Sequence, residues 1–133
     1  MGRPTDHDDR GAAAIELAII LPILLVMIFG IIDFGRIINT QMALTEASRE
    51  AARAYAFGQT PANALIRAQL ITGDATTSVD VSVPCPATGA TVANTASVTL
   101  KQTYTYITPI MGLLGTAGST RTLKSTGVMA CVG

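Results

Sequence analysis

A long apolar stretch near the N-terminus constrains the fold of this 133-residue chain more than any other feature. Residues 12–32 read AAAIELAIILPILLVMIFGII, in which Glu16 is the single charged residue. A helix of that length measures about 32 Å, which matches the roughly 30 Å hydrocarbon core of a bilayer. The sequence therefore predicts a transmembrane helix over residues 12–34. Pro22 lacks a backbone N–H, so we predict a helix kink there, which membrane helices tolerate.

The alternative of an ordinary cleavable signal peptide agrees poorly with the sequence. The polar segment before the apolar stretch carries three aspartates and two arginines, so it is not positively charged. The stretch is also longer than the 7–15 apolar residues that are usual in signal peptides. A small-x-small site at Ala52–Ala54 lies about twenty residues too late for a signal peptidase. These features favour a retained membrane anchor.

The helical pattern continues beyond the predicted membrane boundary. Residues 35–58 contain no proline, and apolar residues recur at helical spacing among many alanines. Glu46 and Arg49, and likewise Glu50 and Arg53, are opposite charges three residues apart, which predicts ion pairs on a solvent-facing side. Gly58 is a suitable helix end. We therefore predict one helix from about residue 12 to 57, with an amphipathic continuation over 35–58.

The rest of the chain, residues 59–133, has the pattern of a small helix followed by strands. Thr60 and Pro61 are typical of an N-cap and first helical residue, which predicts a second helix over 61–72. Alternation with a period of two predicts strands near residues 79–83, 96–106 and 119–132, with a bulge at Gly127. The predicted fold is α+β, pilin-like, with a three-stranded antiparallel sheet packed on the second half of the long helix.

The two cysteines, Cys85 and Cys131, are too far apart for a CxxC redox or zinc motif. In an oxidising compartment they are expected to form a disulfide. The alternative is a pair of buried free thiols.

Composition argues against several classes of function. The formal net charge is zero and basic residues are not clustered, so a nucleic-acid partner is not expected. The only histidine lies in the N-terminal polar segment, which leaves little material for a metal site or for histidine-dependent catalysis. Ser119 and Ser125 have no histidine to activate them. We expect no enzyme, no cofactor, no metal and no small-molecule substrate.

The segment that opens the apolar stretch resembles the processing motif of type IV prepilins, in particular the TadE-like minor pilins of the tight-adherence (Tad/Flp) pilus. That motif is a glycine, a cleavage point, four small or apolar residues and then a glutamate, usually followed by an aromatic residue. Gly11, residues 12–15 and Glu16 match it, whereas Leu17 stands where tyrosine or phenylalanine is usual. The resemblance continues through LPILLVMIFGIIDFGR and ALTEASREAARAYAFG, and it is less specific in the strands.

The resemblance implies a mechanism of processing and assembly. A prepilin peptidase would cut between Gly11 and Ala12 and release residues 1–11 as a cytoplasmic leader. Glu16, with Leu17 beside it, would then pair with the new N-terminal amine of a neighbouring subunit. The implied partners are the membrane, other pilin or pseudopilin subunits and the pilus assembly platform. The implied place is the cytoplasmic membrane, or a surface pilus used for adhesion or secretion.

Alternatives remain open at each of these positions. Glu16 can instead turn toward the lipid headgroups, and Gly11 can simply weaken the start of the helix. The whole chain can instead be an uncleaved single-pass scaffold of the cell envelope. Counting positive residues does not favour a cytoplasmic N-terminus, whereas the cysteines and the resemblance do, because a disulfide belongs in an extracytoplasmic domain.

Overall fold

A helix of 49 residues, α1 (Asp8–Ala56), forms the axis of the molecule. The computed structural model describes residues 8–86, 91, 93–107 and 120–131. Within them, α2 (Pro61–Thr72) follows α1, and strands β1 (Ser78–Val83), β2 (Thr95–Thr105) and β3 (Thr120–Ala130) complete the order. The predicted α+β class, with a long helix, a short helix and a three-stranded antiparallel sheet, is confirmed.

The helix α1 begins four residues before the predicted start. Residues 8–11, which precede the predicted start, are helical, while residues 1–7 lie outside the described part of the chain. The helical structure of residues 8–11 does not test whether residues 1–11 are a cleaved leader, and that assignment stays a prediction.

The connection between α1 and α2 is a tight turn that the sequence signals anticipate. Gly58 has φ +71°, its N–H donates to the Tyr55 carbonyl, and the Gln59 N–H donates to the Ala54 carbonyl. These bonds form a Schellman motif, which needs a residue in the left-handed region. Thr60 then caps α2, accepting a hydrogen bond from the Asn63 N–H at 3.4 Å. The bounds of α2 agree with the predicted 61–72.

The sheet packs one face against the second half of α1. The strand order is β1-β2-β3 with both pairs antiparallel. Alternate residues of β2 are buried, as the period of two predicts, and Val98 and Leu100 meet Leu44 of α1 in a fully buried core. Small side chains line the helices where they meet, since Ala64 and Ala68 are the buried residues of α2.

The bulge occurs in β1 and not at Gly127, so that prediction is wrong. The pairing of β2 with β3 runs without a break through Val98 and Gly127. The register between β1 and β2 shifts between Val79 and Val81, which leaves Asp80 without a partner of its own. A bulge interrupts the alternation of faces, and Val83 is accordingly 51% exposed.

Candidate functional site: the apolar half of the long helix

The apolar half of α1, residues 12–32, is exposed along nearly all of its length. Among the described residues, α1 is the one helix long and apolar enough to cross a membrane, and its most apolar window is 0% buried. Ile31, for example, is 69% exposed, whereas Leu44 in the second half is 0% exposed. Leaving so many large apolar side chains in water is unfavourable by about 25 cal/mol per Å². This half therefore belongs in lipid or against other helices, and the chain is a single-pass membrane protein.

Glu16 is the one carboxylate among residues 12–32, and the next one along the helix, Asp33, is buried. Its neighbours Ile15 and Leu17 are exposed, and Glu16 forms no ion pair with a described residue. Insertion scales assign about 2.5–3.5 kcal/mol to a charged residue at the centre of a membrane helix. A carboxylate in this position is stabilised by a nearby cation, which another molecule can bring or proteolytic processing can create.

The Gly11–Ala12 peptide bond lies near the start of α1. Ala12 is four residues before Glu16, so both lie on the same side of the helix about 6 Å apart along its axis. A Cβ atom on Gly11 would meet nothing within 4 Å, so the fold itself does not require glycine there. Glycine costs about 1 kcal/mol relative to alanine within a helix, which makes this turn easy to unwind. These residues are close in space, but their roles in cleavage and assembly stay predictions.

Pro22 lies inside α1, and the helix is continuous through it. Proline cannot donate a backbone hydrogen bond, so the carbonyl of Ala18 lacks its usual partner. The kink proposed at this position stays a prediction.

The two cysteines form a disulfide at one end of the sheet. Cys85 follows β1, Cys131 follows β3, and the bond joins them with 5.8 Å between their Cα atoms. Cys131 is buried, and its N–H donates to the Asn94 carbonyl at 2.8 Å, just before β2 begins. The bond therefore ties the two outer strands together at the end where β2 starts. The expectation of a disulfide is confirmed.

An aspartate on the outer face of the sheet separates two lysines. Lys101 and Lys124 are cross-strand partners, an arrangement in which like charges repel. Asp80 accepts from Lys124 Nζ at 2.6 Å and from Lys101 Nζ at 3.3 Å. These hydrogen bonds, the one from Lys124 first, lower the pKa of Asp80. The sequence analysis missed this cluster because it depends on the bulge that frees Asp80 from the ladder.

A second aspartate ties the turn after α2 to the sheet. Asp74 accepts from the Thr76 N–H and from Gln102 Nε2, both at 2.7 Å. The bond from the Thr76 backbone is the main reason why the pKa of Asp74 is lowered. Gln102 is buried in β2, so this contact fixes the entry into β1 against the core.

The ion pairs predicted along α1 are not the ones that form. Glu50 binds Arg67 of α2, with Arg67 Nη1 2.9 Å from Glu50 Oε1. Arg53 instead lies over the ring of Phe57, 5.8 Å from its centroid. Spacing along one helix did not reveal that α2 brings a cation closer to Glu50 than Arg53 is.

Comparison with known proteins supports the interpretation of the N-terminal half. The family model described as TadE-like protein matches residues 11–53, which cover the apolar half of α1 and most of its packed half. Searches of curated proteins and of solved structures returned no match. The matched segment begins at Gly11 and includes Glu16, which confirms the resemblance to TadE-like pilins of Tad pili.

Proposed function

We propose that this TadE-like protein, a membrane protein associated with a Tad pilus, is a minor pilin or pseudopilin that is trimmed by a prepilin peptidase and used in pilus assembly for adhesion or secretion. The observation that carries the proposal is the uncovered apolar half of α1 with Glu16 as its one carboxylate. The family match over residues 11–53 supports the same conclusion. Nothing in this role requires catalysis, and we propose that the chain is not an enzyme.

Trimming would supply the positively charged partner that Glu16 lacks. Cleavage between Gly11 and Ala12 converts a neutral peptide nitrogen into an ammonium group at about the depth of Glu16. In the low dielectric of packed helices, an ammonium and a carboxylate attract each other more strongly than in water. If the Ala12 ammonium paired with Glu16 of the same helix, the pair would not contribute to assembly. If it pairs with Glu16 of a neighbouring subunit, the pair sets the axial register of one helix against the next.

The disulfide supports the proposed orientation. A cross-link between Cys85 and Cys131 persists in an oxidising compartment, so the sheet belongs outside the cytoplasm and the N-terminus inside. The extracytoplasmic domain then consists of the second half of α1, α2 and the sheet. Its partners are other pilin subunits and the assembly platform.

The experiment that tests this proposal is intact-mass measurement of the protein extracted from membranes. A mass that begins at Ala12 supports trimming, and Gly11→Leu should retain the full mass while the protein still inserts. Adding a side chain at Gly11 meets no atom of the fold within 4 Å, so a defect would be one of processing. Gly30→Leu is the matched control, because its site is equally open and lies beyond the cleavage motif.

A second candidate function is the uncleaved envelope scaffold. A mass that begins at Met1 in the native protein would favour it and would contradict the pilin proposal. The uncovered helix and the disulfide suit both functions, so the mature N-terminus distinguishes them.

A further inference from the structure

Contacts between α1 and β3 define how far the sheet extends toward the apolar half of the helix. Gln41 Nε2 donates to the Lys124 carbonyl at 3.0 Å, and Ser48 Oγ lies 3.1 Å from Ser125 Oγ. Further along β3, Gly127 lies against the backbone of the same Ser48. Residue numbers therefore rise in the same direction along α1 and β3, and Thr120 is the end of β3 nearest the membrane.

The height of that end follows from the rise per residue. Seven strand residues separate Gly127 from Thr120, which is about 23 Å, or about 15 residues of helix. Counting back from Ser48 places Thr120 level with about residue 33, and a tilt of the strand would move this level to about residue 36. The predicted membrane span ends at residue 34. The end of the sheet where β2 finishes and β3 begins is therefore level with the predicted boundary of the span.

At this level the acidic side chain of Asp33 is buried, whereas the described side chains that are exposed suit a lipid surface. Arg36 and Arg121 are exposed, and neither forms an ion pair with a described residue. Phe34 and Ile107 are large apolar residues that are 65% and 62% exposed. Tyr106 is half-buried, with its ring edge-on to Tyr104 at a centroid distance of 5.6 Å. We call this set the basal rim: Phe34, Arg36, Tyr106, Ile107 and Arg121.

We propose that the basal rim rests on the membrane leaflet at the residue-34 end of the predicted span. Arg36 and Arg121 would bind the phosphates of anionic phospholipids there, and Ile107 would enter the interface. Arginine attracts anionic headgroups, and aromatic rings favour the boundary between headgroups and acyl chains. The rim lies directly beside the end of the membrane span, so lipid is the partner that would contact it. The proposal rests on the membrane span alone, so it stands or fails independently of trimming and pilus incorporation.

Contact with the leaflet would hold the sheet at one fixed orientation. A single helix leaves the attached domain free to tilt and to rotate about the helix axis. A second contact to the side of α1, made by residues of β2 and β3, removes part of that freedom. The subunit would then present the same face to its neighbours before assembly.

The chain contains no tryptophan, so a single introduced tryptophan reports its own surroundings. We would place one at Ile107, one at Phe34 as the membrane-level reference, and one at Phe57, which directly follows α1 and lies about 35 Å from Phe34 along the helix axis. The full-length variants are reconstituted in nanodiscs of phosphatidylcholine and phosphatidylglycerol with brominated acyl chains, which quench nearby tryptophan. We expect the Ile107→Trp signal to be quenched by at least about half as much as Phe34→Trp, and Phe57→Trp to be unaffected. Quenching of Ile107→Trp no greater than that of Phe57→Trp would overturn the proposal.

A second comparison tests whether the rim requires anionic lipid. Replacing phosphatidylglycerol with phosphatidylcholine should reduce the quenching of Ile107→Trp. Adding Arg36→Gln or Arg121→Gln should remove that dependence on lipid charge, whereas Arg53→Gln, an exposed arginine far from the rim, should retain it. Equal quenching in neutral and anionic lipid would refute binding of anionic headgroups by the arginines.

Discussion

Gly127 of β3 lies directly against Ser48 of α1, and the absence of a side chain allows this approach. A Cβ atom at Gly127 would stand 2.7 Å from the Arg49 nitrogen and would overlap the Ser48 carbonyl group. The neighbouring Ser48 and Ser125 hydroxyls are 3.1 Å apart, so helix and strand are joined by both packing and hydrogen bonding. This contact sets the distance between the long helix and the sheet.

Substituting Gly127 should destabilise the domain in which the sheet packs on the second half of α1. The added methyl of Gly127→Ala has no free space and would push β3 away from α1, at a cost of about 1–3 kcal/mol. Thermal unfolding of the full-length chain in detergent, followed by the near-ultraviolet circular dichroism of the tyrosines, measures the loss. Ala130→Val adds volume at an exposed position of the same strand and should leave the transition unchanged. A Gly127→Ala protein as stable as the wild type would contradict the close approach.

Removing the disulfide should lower the free energy of unfolding. The bond closes a loop with a sequence separation of 46 residues. The chain-entropy relation for a loop of that size gives about 4 kcal/mol. Denaturant titrations of Cys85→Ser/Cys131→Ser should show that loss, and reductant should lower the midpoint of the wild type alone. Equal midpoints of the wild type with and without reductant would show that the bond contributes nothing.

Stability should fall in acid through Asp80. Its pKa is lowered in the folded state from 3.8, so the carboxylate stabilises the fold above that value. The contribution is lost as the pH falls below 3.8 and through the lower folded pKa. We expect Asp80→Asn to have a slightly lower melting temperature at neutral pH and a weaker dependence on pH in acid. The control is Glu46→Gln, which removes an exposed carboxylate that forms no ion pair with a described residue. Identical acid profiles for Asp80→Asn and wild type would contradict the assignment.

Asp74 should contribute to the junction between α2 and β1. Asp74→Ala removes the acceptor of both the Thr76 N–H and the buried Gln102 amide, and a buried donor without a partner costs about 1–3 kcal/mol. Asp74→Asn keeps one acceptor oxygen and should lose less stability. Chemical denaturation distinguishes them, and an equal loss in the two variants would show that the hydrogen bonds are not the cause.

Glu16 should affect assembly and not trimming. Glu16→Ala removes the proposed partner of the Ala12 amine, so its mature mass should begin at Ala12 while its share in sheared pili decreases several-fold. Glu46→Ala serves as the control, because this exposed carboxylate lies outside the apolar half. Pili that contain the normal proportion of the Glu16→Ala subunit would refute the pairing proposal.

Features that depend on neighbouring residues were predictable from the sequence. Thr60, Pro61 and Gly73 mark the two ends of α2, because capping needs a side-chain oxygen at one end and a left-handed residue at the other. The buried positions of β2 follow from strict alternation. In the candidate site, Gly11 and Glu16 stand out by their spacing and by the apolar residues around them, which also are local properties.

Features that depend on contacts between elements were not predictable. Gly127 was interpreted as a bulge because a glycine within a strand has two common explanations, and only the position of Ser48 decides between them. Glu50 was assigned to Arg53 because spacing along α1 cannot show that α2 places Arg67 nearer. The role of Asp80 depends on a register shift that its own strand does not reveal.

The sequence alone determined that this chain has one membrane-crossing helix with a carboxylate inside it, since length and hydrophobicity suffice to define a span. It also determined the class of the fold, because the helical spacing of apolar residues, about 3.6 residues, differs from the strand spacing of two. The tertiary structure decided how closely helix and sheet approach and which charges pair. These properties arise from contacts between residues far apart in the chain, and no local pattern records them.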